Sequence, residues 1–292
     1  MRNADAAMYQ AKFSGRNNAQ FFSIEMDSRA RERLDIENDL RHAVERGELR
    51  LFYQPRVACR SNRLLGAEAL VRWQHPRLGL VPPARFITIA EESGLIVPVG
   101  AWIIDKACRQ QAEWRDRGLG DIPVSVNLSA VQLRDPSLLE QLETTLKARR
   151  TQPRMIELEL TESLLMENVD SNIALFHALK ALGIVLSIDD FGTGYSSLSY
   201  LNRFPIDKLK IDQSFVRDML DDTNDLAITR AIIGLGHTLG LKVVAEGVEH
   251  IEEKQMLAAA GCDELQGYLF SRPLPEDEFV RWVKANAALA GD

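Results

Sequence analysis

The chain has 292 residues, enough for one or two domains, and its 35 Lys and Arg against 42 Asp and Glu give a net charge of −7. That balance argues against broad binding to duplex nucleic acid, which needs a basic face, yet leaves room for a small anionic ligand wherever a bound cation inverts the local field. Hydrophobic residues at 46% and charged residues at 26% are those of an ordinary globular chain, which argues against extensive disorder.

The longest uncharged apolar stretch, Gly94 to Ile104, is interrupted by Pro98 and falls short of the roughly 20 residues of a membrane span. The start, Met1-Arg2-Asn3-Ala4-Asp5, lacks the apolar core of a signal peptide. The expected location is the cytoplasm, as a free protein or as the cytoplasmic part of a membrane-anchored one. Cys59, Cys108 and Cys262 are odd in number and far apart, so they read as reduced thiols rather than a disulfide framework.

Ala4 to Lys12 has a helical pattern, stopped by Gly15-Arg16-Asn17-Asn18, with Phe21 and Phe22 as a short strand. This segment is too small to form a core and reads as a remnant or connector. Asp27 to Arg46 predicts an exposed-sided helix with a thin stripe of Leu34, Leu40 and Val44. Leu49–Val57 and Leu64–Val71 then predict two strands joined by a turn at Ser61-Asn62.

Beyond them, strand runs alternate with helical patterns. The strands are Val124–Leu128, Met155–Leu160, Ile184–Ile188, Lys208–Ile211, Lys242–Ala245 and a run near Leu265. The helices are Trp102–Arg117, Leu138–Arg149, Ile173–Leu182, Leu226–Leu239, Ile251–Ala260 and Glu276–Ala288. About eight strands alternating with helices predict an α/β fold, a modified (β/α)8 TIM-like barrel. The tight hairpin at its start makes one strand antiparallel.

Active sites of such barrels lie at the C-terminal ends of the strands. Glu68 lies within the second strand run, and Asn127 near the end of the third. Glu159 is followed by Thr161-Glu162, and Ile188 by Asp189-Asp190. Lys210 precedes Asp212, Ala245 leads into Glu246 and Glu249, and the last strand ends at Gln266-Gly267. A single carboxylate at a strand end reads as a cap. Six successive strands carrying such groups concentrate negative charge that needs a cation, and hard oxygen ligands suit Mg²⁺ or Mn²⁺. The five histidines, His42, His75, His177, His237 and His250, read as lying in helices or loops, which counts against a zinc site. In Asp189-Asp190 one carboxylate can bridge two cations, as two-metal phosphoryl chemistry requires. The following Phe191-Gly192-Thr193-Gly194-Tyr195-Ser196-Ser197 reads both as a movable lid and as a helix cap at Ser196 or Ser197. Two chemistries stay open on this pattern: phosphodiester hydrolysis, and Mg-assisted enolate chemistry with Lys210 as base.

The motifs themselves go further. GAEALVRW around Glu68-Ala69-Leu70, YQPRV (Tyr53–Val57), SVNLS (Ser125–Ser129), ELTES (Glu159–Ser163), DDFGTGYSSLSYL (Asp189–Leu201), DKLKID (Asp207–Asp212), AEGVE (Ala245–Glu249) and QGYLFSRPLP (Gln266–Pro275) occur in one order. Over about residues 30–285 they resemble the EAL family of cyclic di-GMP phosphodiesterases. The segment Ala4–Asn17 resembles the closing helix of a GGDEF diguanylate cyclase domain, without the signature of a cyclase site. The expected division is residues 1–26 as that remnant with a linker and 27–292 as the EAL domain, in a chain that began as part of a longer protein with upstream GGDEF or sensor domains.

The resemblance implies an enzyme, a cyclic-guanylate-specific phosphodiesterase of second-messenger signalling that hydrolyses cyclic di-GMP to linear 5′-pGpG. It implies two Mg²⁺ or Mn²⁺ ions, with inhibition by Ca²⁺. Glu68, Asn127, Glu159 and Asp189 resemble ligands of the first ion, and Asp189 and Asp190 ligands of the second. Glu246 resembles a metal-water ligand and general base, and Lys210 the lysine beside the attacking water. Gln54 and Arg72 resemble contacts to a guanine edge and a phosphate, with Asp212 and Tyr268 as further substrate contacts. Glu162 resembles the anchor of the Asp189–Leu198 loop, while Gln266 and Glu249 stand behind the ligands. The rival class is a cyclic di-GMP receptor without turnover, which would lack ligands this sequence keeps. An acidic interaction face without chemistry is the third reading.

Trp73, Trp102, Trp114 and Trp282 read as packing residues. The expected partners are cyclic di-GMP and a second copy of the chain, with no polymeric nucleic acid and no membrane contact from this segment. The homodimer is expected around Ser196–Asn202 and Leu226–Leu239. Tyr195, Leu198, Tyr200 and Leu201 supply surplus apolar area there, and Ala227, Ala231 and Gly234 a small-residue face.

Overall fold

In the computed structural model, which describes residues 24–165, 169–194 and 201–289, the apolar runs fold as strands separated by helices. The chain forms two units: one comprises the stretch ending at Leu49 together with Trp73–Val99, the other Arg50–Arg72 with everything from Gly100 onward.

The second unit is the barrel. Its strands are β1 (Leu49–Ala58), β2 (Leu64–His75, as far as Arg72), β4 (Val124–Asn127), β5 (Ile156–Thr161), β6 (Val185–Phe191), β7 (Lys208–Ile211), β8 (Lys242–Ala245) and β9 (Glu264–Gln266). They hydrogen-bond in the order β1-β9-β8-β7-β6-β5-β4-β2, and a β1–β2 pairing closes the ring. Strands β2 and β4 to β9 are parallel, whereas β1 lies antiparallel to β9, through Arg56 opposite Gln266 and Val57 opposite Leu265. The short link makes that inversion unavoidable: Ala58 N donates to Arg63 O at 2.8 Å and Asn62 turns through φ 55°. Strand β10 (Leu274–Pro275) adds antiparallel to β1 outside the ring.

Helices cover the barrel between strands, as parallel strands require. They are α3 (Ile96–Asp116), α4 (Ala130–Leu133), α5 (Leu138–Arg149), α6 (Glu162–Leu165), α7 (Val169–Leu182), α8 (Gln213–Arg217), α9 (Thr223–Thr238), α10 (Ile251–Ala260) and α11 (Glu276–Leu289). Trp114 is fully buried, stacked on Phe279 at 4.8 Å and edge-on to Tyr53 at 4.8 Å, fastening α3 and α11 to β1. Trp282 continues the stack on Phe279 at 6.3 Å. Cys59, Cys108 and Cys262 are free and buried, and burial pushes their thiols up.

The interior holds charge as well as aliphatic groups. Arg56 is wholly buried, and its fork donates to both oxygens of Glu157, at 3.0 and 2.6 Å. Arg56 Nε lies 2.8 Å from Glu264, and Lys208 Nζ lies 3.1 Å from both carboxylates. Burial opposes the guanidinium charge, but the carboxylates outweigh it and raise the proton affinity of Arg56; Glu157 falls in turn to about 2.

The first unit contains α1 (Ile24–Leu40), α2 (Ile87–Ser93) and strand β3 (Gly79–Val81), which pairs antiparallel with the last residues of β2, Trp73 to His75. Two expectations change here. Arg41–Gly47 forms hydrogen-bonded turns rather than helix, and the buried residues are Ile36, Leu40 and Ala43, with Leu34 57% exposed. His75 ends a strand rather than lying in a loop, because pairing with β3 extends β2 beyond Val71. Its Nδ1 accepts from Arg77 N and Leu78 N, so Nε2 donates to Asp39 at 3.1 Å. It serves this corner and not a metal cluster.

No helix among the described residues is long and apolar enough to cross a membrane. Residues 1–23, with the remnant expected there, and 195–200, with much of the expected lid and dimer segment, lie outside the described residues. Replacing Trp114 by Ala removes the ring that joins three elements. The expected loss is about 3–5 kcal/mol of unfolding free energy, read as a lower urea midpoint.

Candidate active site at the barrel mouth

Lys210 organises the mouth. It lies inside β7, fully buried, and Nζ reaches Glu159 at 2.6 Å, Glu246 at 2.6 Å and Asp189 at 3.0 Å. Three successive parallel strands supply Lys210, Asp189 and Glu159, and Glu246 follows the end of β8. Burial disfavours the ammonium, but Glu159, Glu246, Glu68 and Asp189 overcome that and push its proton affinity well above the ordinary lysine value.

Glu68 sits across the mouth on β2. Its Oε1 accepts from Asn127 at 2.7 Å and its Oε2 from Gln266 at 2.5 Å. Gln266 also donates to Gln54 at 3.1 Å, and Gln54 donates to Ser271 O at 3.1 Å. Burial favours the neutral acid at Glu68, yet Lys210 and the two amide donors outweigh it and lower the pKa.

The pair Asp189-Asp190 depends on a bulge. In an extended strand adjacent side chains point to opposite faces. Here Ile188 pairs with Leu209 and Phe191 with Ile211, so two residues of β6 face one of β7. Asp190 takes φ 53°, in the left-handed region that aspartate tolerates better than most residues. Ligand oxygens of Asp189, Asp190 and Glu246 thereby all come within 4.8 Å of one another. Gly192 follows at φ 103°, where an added Cβ would lie 2.8 Å from the Phe215 ring. Its N donates to Glu162 at 2.8 Å, tying the start of the loop to α6.

This cluster fits a divalent cation. The donors are hard oxygens. Burial, with Asp189 and Glu68 adding to it against Lys210, pushes Glu246 up to about 8. Lost hydration, then Asp189 and Asp212, push Asp190 up to about 6. Glu159 is raised by burial and by the surrounding carboxylates, and its Oε1 is buried without a hydrogen-bond partner among the described residues. One ammonium leaves this many carboxylates undercompensated.

A cavity of about 250 Å³ opens beside the cluster, lined by Gln54, Glu68, Glu246, Glu249, Gln266 and Tyr268, together with Leu70, Gln213 and two glycines. Gly267 is one of them, and a Cβ there would lie 2.1 Å from Val248 O, so only glycine lets the chain turn beside Gln266. Arg72 is half-buried over the Phe52 ring at 5.6 Å, and Nη1 donates to Val71 O at 2.9 Å. Asp212 caps α8 through Ser214 N at 3.0 Å, and Tyr268 lies under the Arg272 guanidinium at 4.2 Å. The sequence reading gave no role to Arg56, Leu70 or Gln213. Arg56 stood inside the YQPRV motif, but only the fold puts it among Glu157, Glu159 and Glu264.

A closed parallel barrel with one inverted strand and a carboxylate-lysine cluster at its mouth defines a class of metal-assisted barrel proteins. The chain belongs to the EAL domain family, whose model matches residues 37–273. The bifunctional diguanylate cyclase/cyclic di-GMP phosphodiesterase MucR of Pseudomonas aeruginosa is 46% identical over 283 residues, covering 97% of this chain and 41% of that protein. The cyclic di-GMP phosphodiesterase PdeR of Escherichia coli is 45% identical over 284 residues, covering 97% of this chain and 43% of that protein. A solved structure of the PaMucR phosphodiesterase in complex with c-di-GMP superposes with a TM-score of 0.81 at 44% identity, covering 84% of this chain and 99% of that one. The chain thus spans less than half the length of these curated relatives.

The raised carboxylates set a pH dependence. A carboxylate that holds its proton more tightly when folded than its ordinary 4.5 makes the folded state lose stability as pH rises through that window. In a chelator, the melting temperature is expected to fall as pH rises from the ordinary carboxylate range to about 8, the Asp190 share being lost by about pH 6 and the Glu246 share by about pH 8. Added Mg²⁺ or Mn²⁺ is expected to flatten that slope and raise the melting temperature, because a cation replaces the missing protons. Thermal melts at several pH values, with and without the ion, check both.

Proposed function

We propose that this chain hydrolyses one phosphodiester bond of cyclic di-GMP to give linear 5′-pGpG, using two divalent cations. The observation that carries the reading is the set of Asp189, Asp190 and Glu246 oxygens within 4.8 Å of one another, beside a cavity that Glu68 also lines. The names of MucR and PdeR and the c-di-GMP held by PaMucR support the substrate.

Glu68, Asn127, Glu159 and Asp189 would hold the first cation, and Asp189 with Asp190 the second. Mg²⁺ or Mn²⁺ bound there neutralises phosphodiester charge and makes water acidic enough to attack near neutral pH. Glu246 takes the proton of the attacking water, a task suited to a carboxylate with raised proton affinity. Lys210 supplies fixed positive charge where the phosphorane oxygens gain negative charge. The water oxygen bonds to phosphorus, the bond from phosphorus to the 3′ oxygen breaks, and that oxygen leaves with a proton. Arg72 grips a phosphate oxygen through the rest of its fork. Gln54 meets a guanine edge, with Asp212 and Tyr268 as outlying contacts. Gln266 keeps Glu68 turned toward the ligands, Glu162 holds the loop that carries Asp190, and Glu249 borders the pocket.

The proposed division places a GGDEF remnant and linker in residues 1–26 and the EAL portion in 27–292, with further domains upstream in the full-length protein. A homodimer through α9 is part of the proposal. Ala227, Ile228, Ala231 and Gly234 are exposed on that helix and allow close approach. Light scattering at micromolar concentration is expected to give twice the chain mass.

Glu68→Ala is expected to lower turnover by at least about 10²–10³-fold, the scale of one catalytic electrostatic contact. The measurement is chromatographic release of pGpG from cyclic di-GMP with Mg²⁺ or Mn²⁺. Near-normal turnover in the variant would sink the reading, and wild-type binding without product would favour a receptor.

A further inference from the structure

Arg56 and its partners are buried charges that the proposed chemistry does not use. One carboxylate fixes the guanidinium: Glu157 accepts from both Nη atoms, while Glu264 adds charge 2.8 Å from Nε. Arg56, Lys208, Glu157 and Glu264 together are neutral, so the cluster adds little net field to the mouth. It does add direction. Arg56 Nη1 lies 3.9 Å from Glu159 Oε1, the oxygen that no hydrogen bond satisfies among the described residues. The other oxygen, Oε2, accepts from Lys210 at 2.6 Å.

Glu159 therefore stands between two buried cations that differ in mobility. Lys210 ends a flexible four-carbon chain and is shared with Asp189 and Glu246. Arg56 is a planar fork held at both Nη atoms by Glu157 and cannot follow Glu159 if that side chain rotates. Were Glu159 drawn away from Lys210 toward a bound cation, Arg56 would be the restraint that remains on the carboxylate.

We propose that Arg56 is a positioning residue: anchored by Glu157, it holds the Glu159 carboxylate in the orientation that lets the mouth bind a divalent cation. This rests on the metal reading of the mouth given above. Groups standing behind metal ligands commonly contribute about 10–100-fold in metal affinity, so the effect is measurable.

The test is calorimetric titration of Mn²⁺ into substrate-free protein, with urea unfolding and steady-state kinetics on the same samples. Arg56→Lys keeps the buried charge and loses the fork. It is expected to weaken Mn²⁺ binding about tenfold or more and to lower kcat at saturating substrate with little change in KM. Glu264→Gln leaves the Arg56–Glu157 fork and the contact to Glu159 in place. It is expected to lower the urea midpoint yet leave Mn²⁺ affinity as in the wild type. If Arg56→Lys does not fold, Arg56→Gln with Glu157→Gln removes the fork without leaving an unpaired charge, and the same loss of Mn²⁺ affinity is expected. Wild-type Mn²⁺ affinity in the variants that lack the fork would overturn the proposal. So would an equal loss in Glu264→Gln, which would make the effect a general loosening of the interior. A wild-type protein that binds no Mn²⁺ would instead overturn the metal reading itself.

Discussion

The barrel depends at its mouth on one buried ammonium. Lys210 is the point on which Glu159, Asp189 and Glu246 converge, each from a different strand or strand end. Several carboxylates crowded together in a low-dielectric interior would drive one another to the neutral form. A lysine in their midst keeps part of the charge in place without closing the site, because an ammonium is a mobile point charge. The cost is incomplete neutralisation. Glu246 and Asp190 retain raised proton affinities, and that residue of unfavourable charge is what a divalent ion bound there would relieve. Stability and ion affinity at the mouth are thus one electrostatic quantity seen from two sides.

A second constraint is backbone geometry. A strand delivers alternate side chains to one face, so two neighbouring carboxylates on the same strand cannot share a cation without a defect. The bulge at Asp189-Asp190 is that defect, and three features hold it. Asp190 accepts the left-handed conformation, Gly192 leaves room for the Phe215 ring, and Glu162 receives the Gly192 amide. Strain of this kind persists only where the surroundings over-determine it, and it commonly marks a working site.

Much of this was legible in the sequence because the barrel imposes a simple rule. Buried parallel strands read as apolar runs, and polar residues at their ends read as the mouth. Asn127, Asp189, Glu246 and Gln266 stand out for that reason, and the helices Leu138–Arg149 and Ile251–Ala260 coincide with their patterns. What stayed hidden depends on pairing that periodicity does not encode. The length of β2 follows from its partner β3, which is why His75 ends a strand. Leu34 looked like part of an apolar stripe, yet among the described side chains of α1 the buried ones are Ile36 and Leu40, since only packing decides which face of a thinly apolar helix is covered. The bulge leaves no trace beyond an Asp-Asp pair with a glycine two residues on, in Asp189-Asp190-Phe191-Gly192.

Arg56 is the sharpest case. An arginine in an alternating strand is ordinarily a solvent-facing residue, and nothing local distinguishes this one. Its meaning lies in Glu157 and Glu264, which are more than 100 residues away in the chain and reach it only when β1 closes the ring against β9. Closure by an antiparallel strand therefore does more than complete the sheet. It brings a cationic side chain into the interior, where Glu157, Glu159 and Glu264 of the parallel strands balance it. The same closure sets Gln54 and Gln266 side by side behind Glu68. The inverted strand is thus tied to both ends of the interior, to the polar network at the mouth and to the ion cluster beneath Glu159, and its register fixes the two together.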